Sequence, residues 1–424
     1  MDKLTALPIS GESFLLRRQG RHILVDGGHG SRALCAALLS RALAVDHLDI
    51  VVCTHADRDH AGGLVNLLNL LDKSSIKVGE FWLPGAWAES LPELLHRPAS
   101  VIDGLVSELD AFPSDALAGI NLANKEAIEA VIDKRVCAER HQWCNDQAPP
   151  EKPQETRRNG TPGGLGWLKD QLLENTELEQ NEAVATRAFN KGRRQVRARA
   201  SRPSVDYRLV LIWLDLINTA ERIRKIAMQA IRYNVRVRWF DFGEFSRTGT
   251  AKGGERGLLE PLNSVELRAP PPLVAAWSYL SRLTPVNEEC LVFLSPPVDG
   301  WPDGLGVVFT GDSPLGEGRG YGTTFLPADS RLHFPIVATA PHLGSENNMM
   351  AYAHLKKWAH VVLWLRAGGT PKHPGSTFRS LPSYLRACTQ CSHRKLERRL
   401  ADVQLSNGRF PWLLRVSSHD CCCT

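Results

Sequence analysis

The chain has 424 residues, 43% of them hydrophobic and 23% charged. That length is long for one compact domain and short for three, and the apolar share excludes global disorder. The formal net charge of +5 suits a polyanionic partner without demanding one.

The N-terminal stretch MDKLTALPISGESFLLRRQG has no long apolar run and no cleavage pattern, so no signal peptide is expected. "ESFLLRRQ" and "RHILVDGG" read as two short strands separated by a turn at Gln19-Gly20. "SRALCAALLSRALA" has helical spacing, "LDIVVCT" reads as a buried strand, "GGLVNLLNLLDK" as a helix, and "VGEFWLPG" as a further strand. From about residue 88 to residue 232 the character changes to helical and charged. The stretch "QAPPEKPQETRRNGTPGGLG" reads as a loop or linker. "KGRRQVRARASR" concentrates Lys191, Arg193, Arg194, Arg197, Arg199 and Arg202. A solvated helix face or arm is the plain interpretation, and nucleic-acid contact through Arg193, Arg194, Arg197 and Arg199 the sharper one. No aromatic residues are interleaved, so the stacking signal for single strands is missing. "YRLVLIWLDLINTAERIRKIAMQAI" is interrupted by Asp215, Glu221, Arg222 and Arg224, which makes it a buried helix and not a membrane span. Strand patterns return at "NVRVRWFDF", "NSVELRAP", "ECLVFLSPP", "GVVFTGD", "FPIVATAPH" and "HVVLWLRAGG". A β-rich chain is thus interrupted by an insert too long for an ordinary connection. The expected organisation is 1–87 and 233–380 as two halves of one fold, 88–232 as a helical insertion, and 381–424 as a C-terminal extension.

"THADRDHAGG" carries the chemistry. His55, Asp57, Asp59 and His60 fall within six residues, after an apolar strand and before Gly62-Gly63. Alternate positions of an extended backbone point the same way, so His55 and Asp57 can converge on one point. Asp59 and His60 then open a helix and can aim at a second. Gly62 and Gly63 let that helix pack closely. Two imidazoles and two carboxylates suit zinc, manganese or iron, and such a mixed set can hold two metals for phosphate-ester hydrolysis.

The stretch resembles the HxHxDH motif of the metallo-β-lactamase-fold hydrolases. "SFLLRRQGRHILVDGG" is similar to that family's opening strands, with Asp26 at its buried aspartate. "VVFTGDS", "APHLGSENN" and "GGTPKHPGS" resemble later segments, in the expected order. Asp57 in place of a histidine gives the HxDxDH form of the ComEC-like branch. The resemblance implies an α/β, four-layer αββα sandwich with a large, mainly helical insertion. It implies two divalent ions, zinc or manganese with magnesium as a further choice. His55 and Asp57 would hold the first and Asp59 and His60 the second, with Asp312 bridging. His342 would be a ligand or proton donor, and His373 would lie on a nearby loop. Asp59, His342 and His373 would be catalytic. One departure is Leu343, which stands where the branch has a second histidine. Between Gly63 and Asp312 the histidines are His96 and His141, both in the insert, so neither is an obvious third-motif ligand. The site is therefore rich in carboxylate, which favours manganese or magnesium and a phosphodiesterase over a lactamase.

Other signals are weaker. "CTQCSH" (Cys388, Cys391, His393) begins like a zinc site, with partners among Cys421, Cys422 and Cys423, but it lacks two clean pairs. Free cysteines near the C-terminus are the simpler expectation. "GESF" is no nucleophile elbow. "GEGRGYG" lacks the lysine of a phosphate loop and reads as a flexible loop beside Asp312. The expected function is hydrolysis of a phosphodiester in nucleic acid or a nucleotide by a cytoplasmic enzyme. The alternatives are hydrolysis of another ester, thioester or lactone, or service as a metal-site subunit activated on assembly with a protein partner bound at the insertion.

Overall fold

A computed structural model describes residues 2–112, 131, 132, 134–136, 138, 139, 175–202, 205–268, 278–284, 286–298, 304–327, 332–368, 373–391, 398–405 and 421–423. The linker expected at 147–166, His141 and His393 lie outside these residues. The chain divides into two compact units: Met1–Gly85 with Arg232–Leu267 and Asn287–Thr424, and Ala86–Ile231 with Arg268–Val286.

In the first unit, strands β1 (Lys3–Ala6), β2 (Phe14–Arg18), β3 (Arg21–Val25), β4 (His47–Val52), β5 (Lys77–Pro84), β6 (Arg236–Asp241), β7 (Glu260–Pro261) and β8 (Val265–Glu266) come first. They are followed by β9 (Phe293–Ser295), β10 (Gly306–Phe309), β11 (Gly316–Glu317), β12 (Thr323–Thr324), β13 (Pro335–Thr339), β14 (His360–Arg366), β15 (Arg386–Cys388) and β16 (Ala401–Gln404). One sheet runs β16-β1-β2-β3-β4-β5-β6-β8 and the other β15-β14-β13-β10-β9-β7. β2 and β3 form the expected hairpin. Gln19 and Gly20 both take positive φ, 54° and 75°, as a two-residue turn between twisted strands requires.

Side-chain alternation explains the layers. Leu16, Ile23, Ile50, Val52 and Trp82 of the first sheet share one core with Phe293, Val307, Phe309, Val337 and Leu363 of the second. The alternate residues Val308, Ile336, Ala338 and Trp364 pack instead with Tyr352, Leu355 and Trp358 of the helix Met349–Trp358. On the first sheet the helix Ser31–Leu38 buries Leu34, Cys35 and Leu38. This is the αββα sandwich. Arg18, only 1% exposed, crosses it. Its guanidinium donates to the carbonyls of Ser295 (2.8 Å), Pro296 (2.5 Å) and Leu305 (2.6 Å). Burial lowers its pKa to about 10, against the pull of Asp2.

The second unit is helical. It contains Ala86–His96, Pro98–Ala111, Asn175–Arg199, Tyr207–Arg232 to its last residue but one, and the short Tyr279–Leu283. Trp213, fully buried, donates its indole N–H to the Leu105 carbonyl at 2.7 Å. A Cβ at Gly192 would lie 2.3 Å from Ile102, so glycine sets how closely two of these helices approach. Glu108 accepts the N–H groups of Tyr279 and Leu280 at 2.7 and 2.8 Å, which caps the short helix. Among the described residues no helix is long and apolar enough to cross a membrane.

Candidate metal centre

The site grows from the C-terminal ends of parallel strands in both sheets. β3, β4 and β5 are parallel neighbours, and so are β10, β13 and β14. Open sheets bind ligands at such ends. After β4 the chain runs through Cys53–Asp57 into a single helical turn, Arg58–Ala61. β10 delivers Thr310–Asp312, and β13 delivers Pro341–Gly344.

Close backbone packing holds the turn at 58–61. Gly63 N–H donates to the Gly28 carbonyl and Gly27 N–H to the His60 carbonyl, both at 2.7 Å. A Cβ at Gly63 would sit 1.8 Å from the Gly27 carbonyl oxygen, so no side chain fits. Asp26, at φ 60°, is buried beneath this turn. Its carboxylate accepts the Thr54 N–H (2.8 Å), the Thr54 hydroxyl (2.7 Å) and His60 Nδ1 (2.7 Å).

Asp312, 1% exposed, lies between the two motif histidines. His60 Nε2 is 3.0 Å from its Oδ1 and His55 Nε2 is 3.4 Å from its Oδ2. Asp57 Oδ2 stands 3.7 Å from His55 Nε2, and Asp59 Oδ2 stands 4.0 Å from His60 Nε2. His342 Nδ1 is 3.6 Å from Asp312 Oδ2. The structure thus brings together His55, Asp57, Asp59, His60, Asp312 and His342, the first four from one motif and the last two from segments far along the chain. His373 stands further out, with its ring centroid 5.7 Å from that of His342.

The charge pattern explains the convergence. Burial presses both motif imidazoles toward neutrality. At His55 the Cys290 sulfur and the Asp312 carboxylate outweigh it, and its pKa stands well above the ordinary value. At His60 burial and repulsion by His55 are outweighed by Asp312 and Asp26, with the same result. Burial pushes Asp312 up, but His342, His60 and His55 hold it well below the usual carboxylate range. Burial lowers His373, aided by His342 and Arg366, so its neutral form is favoured.

The donor set fits divalent metal. His55 Nε2, His60 Nε2, both Asp312 oxygens and His342 Nδ1 are buried and lack hydrogen-bond partners. One ligand atom each from His55, His60 and Asp312 falls within 4.8 Å of the others. Buried polar atoms without partners are costly, and coordination to a cation is the way such lone pairs are satisfied together.

Two neighbours were not singled out in the sequence. Glu12, 1% exposed, accepts the Leu343 N–H at 2.7 Å. Burial raises its pKa well above the usual range despite His60, and Asp312 raises it further. Leu343 thus meets Glu12 through its backbone N–H, not its side chain. Cys290 approaches His55 Nδ1 at 3.4 Å and accepts the Asp312 N–H at 3.2 Å. The expected flexible loop at 316–322 contains instead the strand β11, paired with β12, and a 3₁₀ turn at Arg319–Tyr321.

Residues 7–130 match the Metallo-beta-lactamase superfamily. The matched segment holds the opening hairpin, Asp26 and the whole His55–His60 cluster. Asp312, His342 and His373 lie beyond it, yet Asp312 and His342 meet that cluster in the fold. No curated protein and no solved structure matches the chain.

The arginine-rich run forms part of the helix Asn175–Arg199. Arg193 is half-buried and bonded to Asn218 at 2.9 Å and to Glu221. Arg199 is clamped by both oxygens of Asp110, to which Arg202 also bonds at 3.1 Å. Lys191 pairs with Asp103 at 3.2 Å. Arg194 and Arg197 are exposed.

Proposed function

We propose that the chain is a two-metal phosphodiesterase of the ComEC-like HxDxDH kind, acting on nucleic acid or nucleotide. The observation that carries the hydrolase reading is the convergence of unpartnered buried nitrogens and oxygens from His55, His60, Asp312 and His342. The rim carboxylates Asp57 and Asp59 favour hard, oxygen-preferring ions and hence phosphoryl chemistry. Zinc or manganese suits the mixed donor set, and magnesium its oxygen-rich side. When bound, such ions supply Lewis acidity toward phosphoryl oxygens and a water that ionises near neutral pH.

His55 and Asp57 would hold one ion and Asp59 and His60 the other, with Asp312 shared between them. Asp59 also orients the attacking water. As the new P–O bond forms, the bond to the leaving oxygen breaks, and that oxygen takes a proton. His342 lies beside Asp312 with a partly exposed side chain, in reach of both solvent and site, and serves as the donor. His373 backs His342 and accepts rather than donates, because its neutral form is favoured. Arg194 and Arg197, exposed on the insertion helix, offer the nucleic-acid contacts. Arg193 and Arg199 contribute less because their charges are already paired.

The test combines metal analysis of the purified chain with incubation in Mn²⁺ and plasmid, single-stranded DNA, RNA and a chromogenic phosphodiester. A thioester, a lactone and a β-lactam serve as controls. Cleavage of a phosphodiester that disappears, along with the metal, in Asp57→Ala and His60→Ala supports the proposal. Metal bound with turnover only of the thioester or lactone overturns the phosphodiester assignment. Full turnover in either variant overturns the site.

A further inference from the structure

A second cluster lies within the first unit, where the C-terminal tail returns to β15. Cys388 ends β15, Cys391 follows three residues on, and Cys421 and Cys423 come from the tail. From Cys388 Sγ the distances are 3.3 Å to Cys391, 3.4 Å to Cys421 and 3.9 Å to Cys423. All four sulfurs lie within 4.8 Å of one another. A disulfide needs about 2.05 Å. A tetrahedron with zinc–sulfur bonds of about 2.3 Å has sulfur–sulfur edges of about 3.8 Å. The cluster has the second spacing and not the first.

Its surroundings suit a metal as well. Cys388, Cys421 and Cys423 are 6%, 1% and 0% exposed. Alternate residues of the tail share a side, so Cys421 and Cys423 point inward while the backbone N–H of Cys422 donates to Cys391 Sγ at 3.4 Å. Two arginines border the cluster, Arg366 at 0% and Arg386 at 9% exposure. Arg386 donates to the Cys423 carbonyl at 2.9 Å, and Arg366 lies 3.8 Å from Cys423 Sγ and donates to the Gln390 carbonyl. Among the described residues neither guanidinium has a carboxylate at ion-pair distance. A buried guanidinium needs a counter-charge. Four thiolates around one divalent cation carry a net charge of about −2, which balances the two arginines.

We propose that Cys388, Cys391, Cys421 and Cys423 form a structural zinc site that fastens the C-terminal tail to the edge of the second sheet. It is closed, with four protein ligands and no open position, so it takes no part in hydrolysis. The expected pairing signal was hidden because one pair is Cys-x-x-Cys and the other Cys-x-Cys, some thirty residues later.

The experiment uses the full chain purified under reducing conditions. Elemental analysis of His55→Ala/His60→Ala, which removes the first centre's imidazoles, is expected to retain about one zinc per chain. X-ray absorption at the zinc edge of that variant is expected to show four sulfur neighbours. Titration with an organomercurial is expected to release the zinc into a chromogenic chelator. Adding Cys421→Ser/Cys423→Ser is expected to remove it. Nitrogen or oxygen neighbours at the zinc, iron in place of zinc, or a disulfide seen by intact mass without reductant would each overturn the proposal. If the serine variant does not fold, the absorption spectrum of the parent decides. The proposal stands apart from the phosphodiesterase assignment, because a chain that cleaves nothing still returns a sulfur-ligated zinc.

Discussion

The Asp26 carboxylate dictates which nitrogen His60 presents. It lies 2.7 Å from His60 Nδ1 and also accepts two bonds from Thr54. With Nδ1 donating to Asp26, Nε2 is the nitrogen that faces Asp312 at 3.0 Å, and it can bind an ion once metal displaces its proton. This is the orienting contact that metal-binding histidines commonly need. Asp26→Asn can present an amide N–H to Nδ1 and invert the tautomer. The expected outcome is a loss of Mn²⁺ or Zn²⁺ affinity of about 10–100-fold with the fold retained. Isothermal titration, with circular dichroism as the control for folding, reads this. Unchanged affinity would remove Asp26 from the site's support.

Gly63 makes a similar case through backbone alone. Its missing side chain leaves room for the Gly27 carbonyl, which a Cβ would approach to 1.8 Å. Both partners are main chain, so neither can rotate away. Gly63→Ala is expected to shift the turn at 58–61, weaken metal binding and cost about 1–3 kcal/mol of stability. Urea denaturation and a metal titration of one preparation test both effects.

Much of this was legible in the sequence, and the reason is locality. The hairpin at Gln19-Gly20, the strand before His55 and the glycines after His60 are each specified by neighbours a few residues away. The metal motif likewise lies within six positions, so spacing alone brings its side chains near one another. Glu12 and Cys290 were not legible, because each acts through contacts across the sandwich that periodicity does not encode. Glu12 reaches Leu343, 331 positions away, and Cys290 reaches His55, 235 positions away. The ion pairs that occupy Arg193 and Arg199 were hidden for the same reason. Asp110 comes from another helix and Glu221 from a third.

Arg18 illustrates a contact that serves stability rather than chemistry. It extends from β2 to carbonyls of the opposite sheet's segment, Ser295, Pro296 and Leu305. Arg18→Ala would leave these buried acceptors without donors and open a cavity. The expected cost is about 2–4 kcal/mol. Because the site lies elsewhere, metal affinity per folded molecule should hold. A urea midpoint that falls while the dissociation constant stays constant is the expected pair of results. A fall in both would mean that the sheets' spacing also governs the site.

The raised pKa values of His55 and His60 give the chain opposite pH behaviour with and without metal. Without metal, their contribution to stability is fully present below the unfolded value of about 6.5 and is lost as pH rises through the folded values. Asp312 has a depressed pKa, so its contribution is present above the unfolded value of about 3.9 and is lost as pH falls through its folded value. Chelated protein should therefore be most stable on the acid side of neutrality and melt at lower temperature from about pH 6.5 upward. Metal binding needs both Nε2 lone pairs, so it must displace protons, and affinity should rise over the same range. Thermal melts from about pH 6 to about pH 9, with chelator and with Mn²⁺, should diverge as pH increases. Calorimetry at pH 7 in buffers of different ionisation enthalpy should record proton release on binding. A chelated protein that grows more stable toward alkaline pH, or binding without proton release, would show that neither histidine is held protonated by Asp312.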